Sequence, residues 1–297
     1  MRGPVRHQPP RRAGPEVPLS DRPAVTVVVP FAGSDEQLGE LRATLSRLRL
    51  RPGDELIVSD NRRDPVRTPA YARNRAADGA RGEWLVFLDA DVLPDPGLLD
   101  AYFDPTPSSQ TAVLAGGIED VALRPTLVAR TNAARARMSQ RTTLERPGTP
   151  YAQTANCAVR RGAFEAVGGF EAGARAGEDA DLYFRLRRAG WGLEARPRAG
   201  VQHRSRETLR GWLRQLALHG SGAAWLERRW PGEFPAAGPL GLGRRLVRGA
   251  VGALSSLARG DRRAATISIL DLLGTAAFEL GRLLPNTRRP DTDRMPS

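Results

Sequence analysis

Asp89 and Asp91 stand one residue apart at the end of an apolar run, in the stretch EWLVFLDADVLPD covering residues 83–95. Side chains at i and i+2 of a strand leave the same face, so a strand carried through residue 91 projects both carboxylates together from its carboxyl end. In open α/β sheets that edge is where ligands bind. Two carboxylates held side by side repel each other. A hard divalent cation, Mg2+ or Mn2+, removes that cost and can then hold a diphosphate. The plainer alternative is a solvated turn, since Asp is common where strands end.

The elements around this pair predict an α/β fold. AVTVVVP (24–30) is a continuous β-branched run of the kind found in strands covered on both faces. Leu38, Leu41, Leu45 and Leu48 then recur at helical spacing, and ELIVSD (55–60) reads as a second strand. The β-α-β crossover places both strands in one parallel sheet. A helix around PAYARNRAADGA precedes the strand that carries the aspartates. Further strands are expected at 112–120, at TANCAVRR and along GLEARPRAGVQH, and helices at 124–141, RGAFEAVGGF, GEDADLYFRLRRAG and 205–229. Glycine and proline in WPGEFPAAGPLGLG mark a boundary near 236. Two helices follow, with apolar spacing through Ile267, Leu270, Leu273, Ala277 and Leu280.

The chain of 297 residues is 40% hydrophobic, enough for a substantial core, and carries a formal charge of +12. Every basic side chain apart from histidine is arginine, as lysine is absent. Such a surface attracts phosphates or anionic head groups. The single cysteine, Cys157, excludes an intramolecular disulfide and is expected as a small buried residue in a cytoplasmic setting. The arginine- and proline-rich segment 1–22 reads as a disordered tail rather than a signal peptide, and 291–297 as a frayed end. No stretch of eighteen or more uncharged apolar residues occurs, so no transmembrane helix is predicted.

Two enzyme classes write a string close to FLDADVL: haloacid-dehalogenase-type phosphatases, with Asp89 as nucleophile, and glycosyltransferases of the GT-A fold, whose DxD holds a metal and the donor diphosphate. Five segments taken in order resemble the family-two, inverting glycosyltransferases: VTVVVPF, LIVSDNRRD, ARNRAADGARGEWLVFLDADV, NCAVRRGAFEAVGGFE and GEDADLYFRLRRAG. The resemblance covers roughly residues 24–204. It implies a Rossmann-like, mostly parallel sheet flanked by helices over 23–235, with a C-terminal helical extension over 236–290. It also implies a nucleotide-sugar donor (UDP-, GDP- or dTDP-linked), a divalent metal, Mn2+ or Mg2+, and an acceptor that is a glycan, a lipid-linked molecule or a small molecule. Nucleic acid is not an expected partner.

By the same resemblance, Pro30, Asp60, Arg73, Asn74 and Asp89 are candidates for holding the nucleotide and its diphosphate. Asp89, Asp91 and His203 are the candidate metal ligands, and Asp179, with Glu178 beside it, the candidate catalytic base. Arg204, Arg206, Arg210 and Arg214 face a phosphate or form a solvated helix face, while Trp191 and Trp212 are expected to pack against the sheet rather than to stack on an acceptor sugar. The Gln-x-x-Arg-Trp motif of processive synthases is missing from LRQLALHGSGAAW, which favours a single addition. A phosphatase and a non-catalytic sugar-nucleotide or lipid-binding module are the rival readings. The C-terminal helices pack on the domain or on a second subunit, or form an interfacial element that brings the enzyme peripherally to the inner face of a membrane.

Overall fold

The first strand is buried along its whole length because it pairs in parallel on both sides and is covered on both faces. In the computed structural model, which describes residues 22–288 apart from 123, 125, 136 and 137, the strands are β1 (Val25–Phe31), β2 (Glu55–Asp60), β3 (Trp84–Leu88), β4 (Val92–Pro94), β5 (Thr111–Val121), β6 (Asn156–Arg160) and β7 (Gly192–Arg204). The helices are α1 (Asp35–Leu45), α2 (Pro69–Asp78), α3 (Leu98–Tyr102), α4 (Leu127–Arg135), α5 (Gln140–Leu144), α6 (Arg161–Ala166), α7 (Glu178–Arg188), α8 (Leu209–Arg229), α9 (Pro239–Ala258) and α10 (Arg262–Gly281).

The sheet has the order β2-β1-β3-β6-β5-β7-β4. Pairing directions make five of its seven strands run one way, with β6 and β4 opposed. Alternation divides the core. Val25, Val27 and Val29 pack with Leu41 and Leu45 of α1 on one face. Val28 packs with Ala70, Ala76 and Ala77 of α2 and with Phe87, Phe164 and Phe170 on the other. Cys157 is buried at the sheet centre, where desolvation pushes its thiol far up, so it is a packing residue.

Helix starts follow local chemistry. Ser34 and Gln37 form a reciprocal capping box at α1, and Thr68 caps α2 ahead of Pro69. The basic helix expected over 124–141 is two helices. Ser139 caps a new start, and Asp120 on β5 accepts the Met138 N–H at 3.0 Å, which fixes the entry to that second helix against the sheet. Similarly, α8 begins at Leu209 rather than 205 because the Thr208 hydroxyl accepts the Gly211 N–H.

Arg22, assigned from sequence to the tail, is instead an anchor. Its buried guanidinium bonds Asp54 at 2.6 Å and Asp100 at 2.9 Å, tying the entry of β1 to the β2 turn and α3. The rest of the expected tails, 1–21 and 291–297, lies outside the described residues.

The C-terminal extension attaches through small residues. A Cβ built on Gly220 of α8 would lie 1.9 Å from the Phe278 carbonyl oxygen of α10, and one on Gly281 would lie 2.0 Å from that of Ala217. The expected apolar stripe on α10 is only partly covered: Leu270 is buried, whereas Leu273 and Leu280 are exposed. Backbone contact at the glycines, together with a small cluster of Trp212, Leu213 and Leu216 around Leu270, holds the two helices together. Gly220→Ala should therefore cost about 1–3 kcal/mol by overpacking. Gly39→Ala, on an exposed face of α1 with nothing within 4 Å of its added Cβ, should stabilise by about 0.5–1 kcal/mol. Thermal unfolding of both variants checks the opposite signs.

Candidate active site

Arg73 organises the site. It sits on α2, its side chain 2% exposed, and donates to Asp89 Oδ1 at 2.6 Å and to Glu178 Oε1 at 2.8 Å. One guanidinium thus bridges the end of β3 to the start of α7. Burial alone would lower its pKa, but the two carboxylates raise it, so the cation is secure. Its Nε is buried and has no protein partner among the described residues.

The strand argument for the aspartate pair needs correction. β3 stops at Leu88, and Asp89-Ala90-Asp91 forms a turn into β4, whose Val92 pairs with His203 of β7. The two carboxylates therefore go to different partners. Asp89 meets Arg73, while Asp91 meets His203 (Oδ1 to Nε2, 3.6 Å) and Arg206 (3.3 Å). Burial, then the neighbouring Asp89 charge, raises the Asp91 carboxyl above its ordinary value.

His203 is buried, and its Nδ1 bonds Asp120 Oδ1 at 2.8 Å. Burial would lower its pKa, but that hydrogen bond and the charges of Asp91 and Asp120 carry it upward. A Nδ1–H held by Asp120 leaves Nε2 aimed at Asp91, the orientation a metal-binding imidazole requires. Among the described residues no three acidic, imidazole or thiol side chains are already grouped as a metal cage. The donors of Asp91 and His203, with Asp89 in the same turn, nevertheless suit a divalent ion such as Mn2+, which takes an imidazole ligand more readily than Mg2+ does.

Glu178 and Asp179 open α7, entered from Gly177 at φ 82°, a left-handed conformation natural to glycine. Acidic residues are favourable at that terminus. Burial, then the adjacent Glu178 charge, pushes the Asp179 carboxyl up to about 7. Asp181, one turn in, is structural: it is fully buried, accepts from Trp230 Nε1 at 2.9 Å and pairs with Arg185.

Pro30, Arg73, Asp89, Asp91, Glu178, Asp179 and His203 all line one cleft of about 1160 Å3. Asp60 and Asn74 are not brought into it. Asp60 is clamped by Arg62, whose Nε and second nitrogen approach its carboxylate at 2.9 Å and 2.6 Å and hold it below the usual carboxylate range. The Asn74 amide is spent on Phe170, donating to its carbonyl at 2.8 Å and accepting its N–H at 2.9 Å, so its role is to fix that loop. Sequence reasoning passed over Asp120 and Arg62. An acid ending a long strand and an arginine in a turn are common, and only the strand register placing Asp120 opposite His203 reveals the first.

The family model "Glycosyltransferase like family 2" matches residues 66–218, the span that carries Arg73, the aspartate turn, the α7 terminus and His203. The chain belongs to the family-two glycosyltransferases. Two curated relatives, the pre-mycofactocin glycosyltransferases of two Mycobacterium tuberculosis strains, are each 30% identical over 235 residues, covering 70% of this chain and 48% of their own. The chain thus spans about half the length of these relatives. Among solved structures, a mannosyltransferase of Pyrobaculum calidifontis in complex with GDP-Man and Mn2+ superposes with a TM-score of 0.57 over 88% of both chains at 20% identity. The chain therefore has the GT-A fold, and the phosphatase reading of Asp89 is set aside.

Removing Arg73 leaves two facing carboxylates without their cation. Arg73→Met should cost about 3–5 kcal/mol of stability, the scale of a buried pair broken on one side. Denaturant unfolding of the purified variant measures it, and a loss under 1 kcal/mol, the range of an exposed pair, would contradict the bridging role.

Proposed function

We propose that the protein transfers a glycosyl group from a nucleoside-diphosphate sugar to an acceptor hydroxyl in one displacement that inverts the anomeric centre. The observation that carries this reading is the convergence of Asp89 and Asp91, in the turn after β3, with Asp179, at the start of α7, on one cleft where Arg73 bridges Asp89 to the adjacent Glu178. Arg146, Arg175, Arg204, Arg206 and Arg214 also line that cleft and give it the field an anionic donor needs.

Asp91 and His203, with Asp89, are the residues to hold a divalent cation. When bound, that ion would stabilise negative charge on the donor diphosphate. The Asp179 carboxylate removes the proton of the acceptor hydroxyl, and the freed oxygen forms a bond to the anomeric carbon. The bond from that carbon to the diphosphate oxygen breaks on the opposite face, and the electron pair leaves with the nucleoside diphosphate. Arg206 pairs with Asp91 and Arg73 with Asp89, so each carboxylate is oriented before a ligand arrives.

A raised carboxyl suits a base working near neutrality. With the free group at about 7, its deprotonated form dominates only above that pH. The profile of kcat/KM should therefore fall on the acid side with a midpoint near 7, and a midpoint in the ordinary carboxylate range would remove Asp179 from the role.

The decisive assay offers UDP-, GDP- and dTDP-sugars with Mn2+ or with a chelator and follows nucleoside diphosphate release. Release that needs the metal, and that Asp91→Asn and Asp179→Asn each lower at least about a hundredfold, is the expected result. Donor binding without release across a broad acceptor set would instead mark a sugar-nucleotide-binding module.

A further inference from the structure

Ten of the thirteen large apolar side chains exposed among the described residues lie between 240 and 284, on the hairpin of α9 and α10 and the turn after it. On α9 the exposure is ordered. Leu240 (80% exposed), Val247 (63%), Val251 (59%) and Leu254 (67%) recur at spacings of seven, four and three, which place them on one helical face. Arg244 and Arg248 flank that face, and a shallow groove runs between them and Val247 and Val251. Residues 238–263 contain six arginines, Arg244, Arg245, Arg248, Arg259, Arg262 and Arg263, against one acid, Asp261.

We infer that this face of α9 lies on an anionic lipid bilayer, with the apolar stripe among acyl chains and the flanking arginines among the phosphates. Long arginine side chains allow that division, since their stems bury while their head groups stay at the polar level. A second copy of the chain fits worse, because a two-fold contact through this face would set arginine clusters against each other. A spanning arrangement of α10 also fits worse. By length and composition alone that helix could cross a membrane. But its backbone is pressed against α8 at Gly220 and Gly281, and α8 walls the cleft.

Phe278 of α10 lines the cleft as well, so the hairpin shares a wall with it. A bilayer under α9 would lie roughly one or two helix diameters, about 10–20 Å, from that wall. Membrane contact through this face is independent of the transfer chemistry, so either can fail without the other.

The test is co-sedimentation of the full chain with vesicles of phosphatidylcholine alone or mixed with phosphatidylglycerol. Wild type should sediment with the mixed vesicles and lose binding as salt rises. Arg244→Gln with Arg248→Gln should weaken that binding about thirtyfold. Val247→Asp with Leu254→Asp should abolish it, while thermal unfolding and nucleoside diphosphate release stay as in wild type, because all four side chains are exposed. Wild type remaining in the supernatant, equal binding to neutral vesicles, or variants that sediment like wild type would each overturn the inference. So would a lipid-free dimer that the aspartate pair converts to a monomer without any vesicle binding, which would assign the face to a second copy.

Discussion

A buried guanidinium cannot be left alone, and much of this molecule follows from how Arg73 is satisfied. Its two carboxylate partners come from the turn after β3 and from the start of α7, the latter 105 residues away in the chain. Neither acid could be removed without leaving a charge in a poorly solvated place. The supporting contacts all hold α2 and the loop before α7 in mutual register. The Thr68 hydroxyl donates to the Ala172 carbonyl, the Asn74 amide clamps Phe170, and the Phe170 ring lies 5.6 Å beneath the guanidinium. The left-handed Gly177 then turns the chain into α7, where an added Cβ would approach Leu226 at 2.8 Å. Geometry at the cleft is therefore a consequence of charge satisfaction beneath it.

That arrangement sorts four carboxylates into distinct environments. Asp89 and Glu178 are compensated by Arg73, and Asp91 faces His203 and Arg206. Among the described residues Asp179 has no arginine bonded to it and accepts the Ala180 N–H at 2.8 Å, and its carboxyl rises to about 7. Burial and a neighbouring carboxylate raise both Asp179 and Asp91, and the rise is offset at Asp91 by His203 and Arg206 and at Asp179 by the Ala180 N–H and the Arg73 charge. The buried Asp120–His203 pair adds a fixed imidazole direction to the charge-holding side.

Much of the fold was legible because buried parallel strands write unmistakable runs. VTVVVPF, ELIVSD and WLVFL became β1, β2 and β3, and GEDADLYFRLRR became α7. What failed was local termination. Nothing in FLDADV says that the ladder stops at Leu88, since the cause is a remote pairing of Val92 with His203. The same holds for 124–141, where an Asp on another strand decides the break. Within the site, the charged residues that line the cleft were readable from type and order. Asp60 and Asn74 lie outside the cleft lining, their polar groups held by Arg62 and the Phe170 backbone, which are unremarkable in sequence.

The C-terminal hairpin shows how one contact mode leaves another surface free. Helices that meet through leucine ridges bury their apolar faces against each other and have little left to expose. Here α8 and α10 touch backbone to backbone at Gly220 and Gly281, and Gly274 admits the Trp212 ring. Contact at glycines brings the axes close while using few large side chains, so leucines such as Leu273 and Leu280 stay outside the joint. α9 then packs on α10 through small residues of its own, Ala253 and Ser256, which are buried, while Val247, Val251 and Leu254 are not. An outward apolar face beside an arginine flank is thus built into the joint itself, since filling the glycine contacts with larger side chains would force the helices apart.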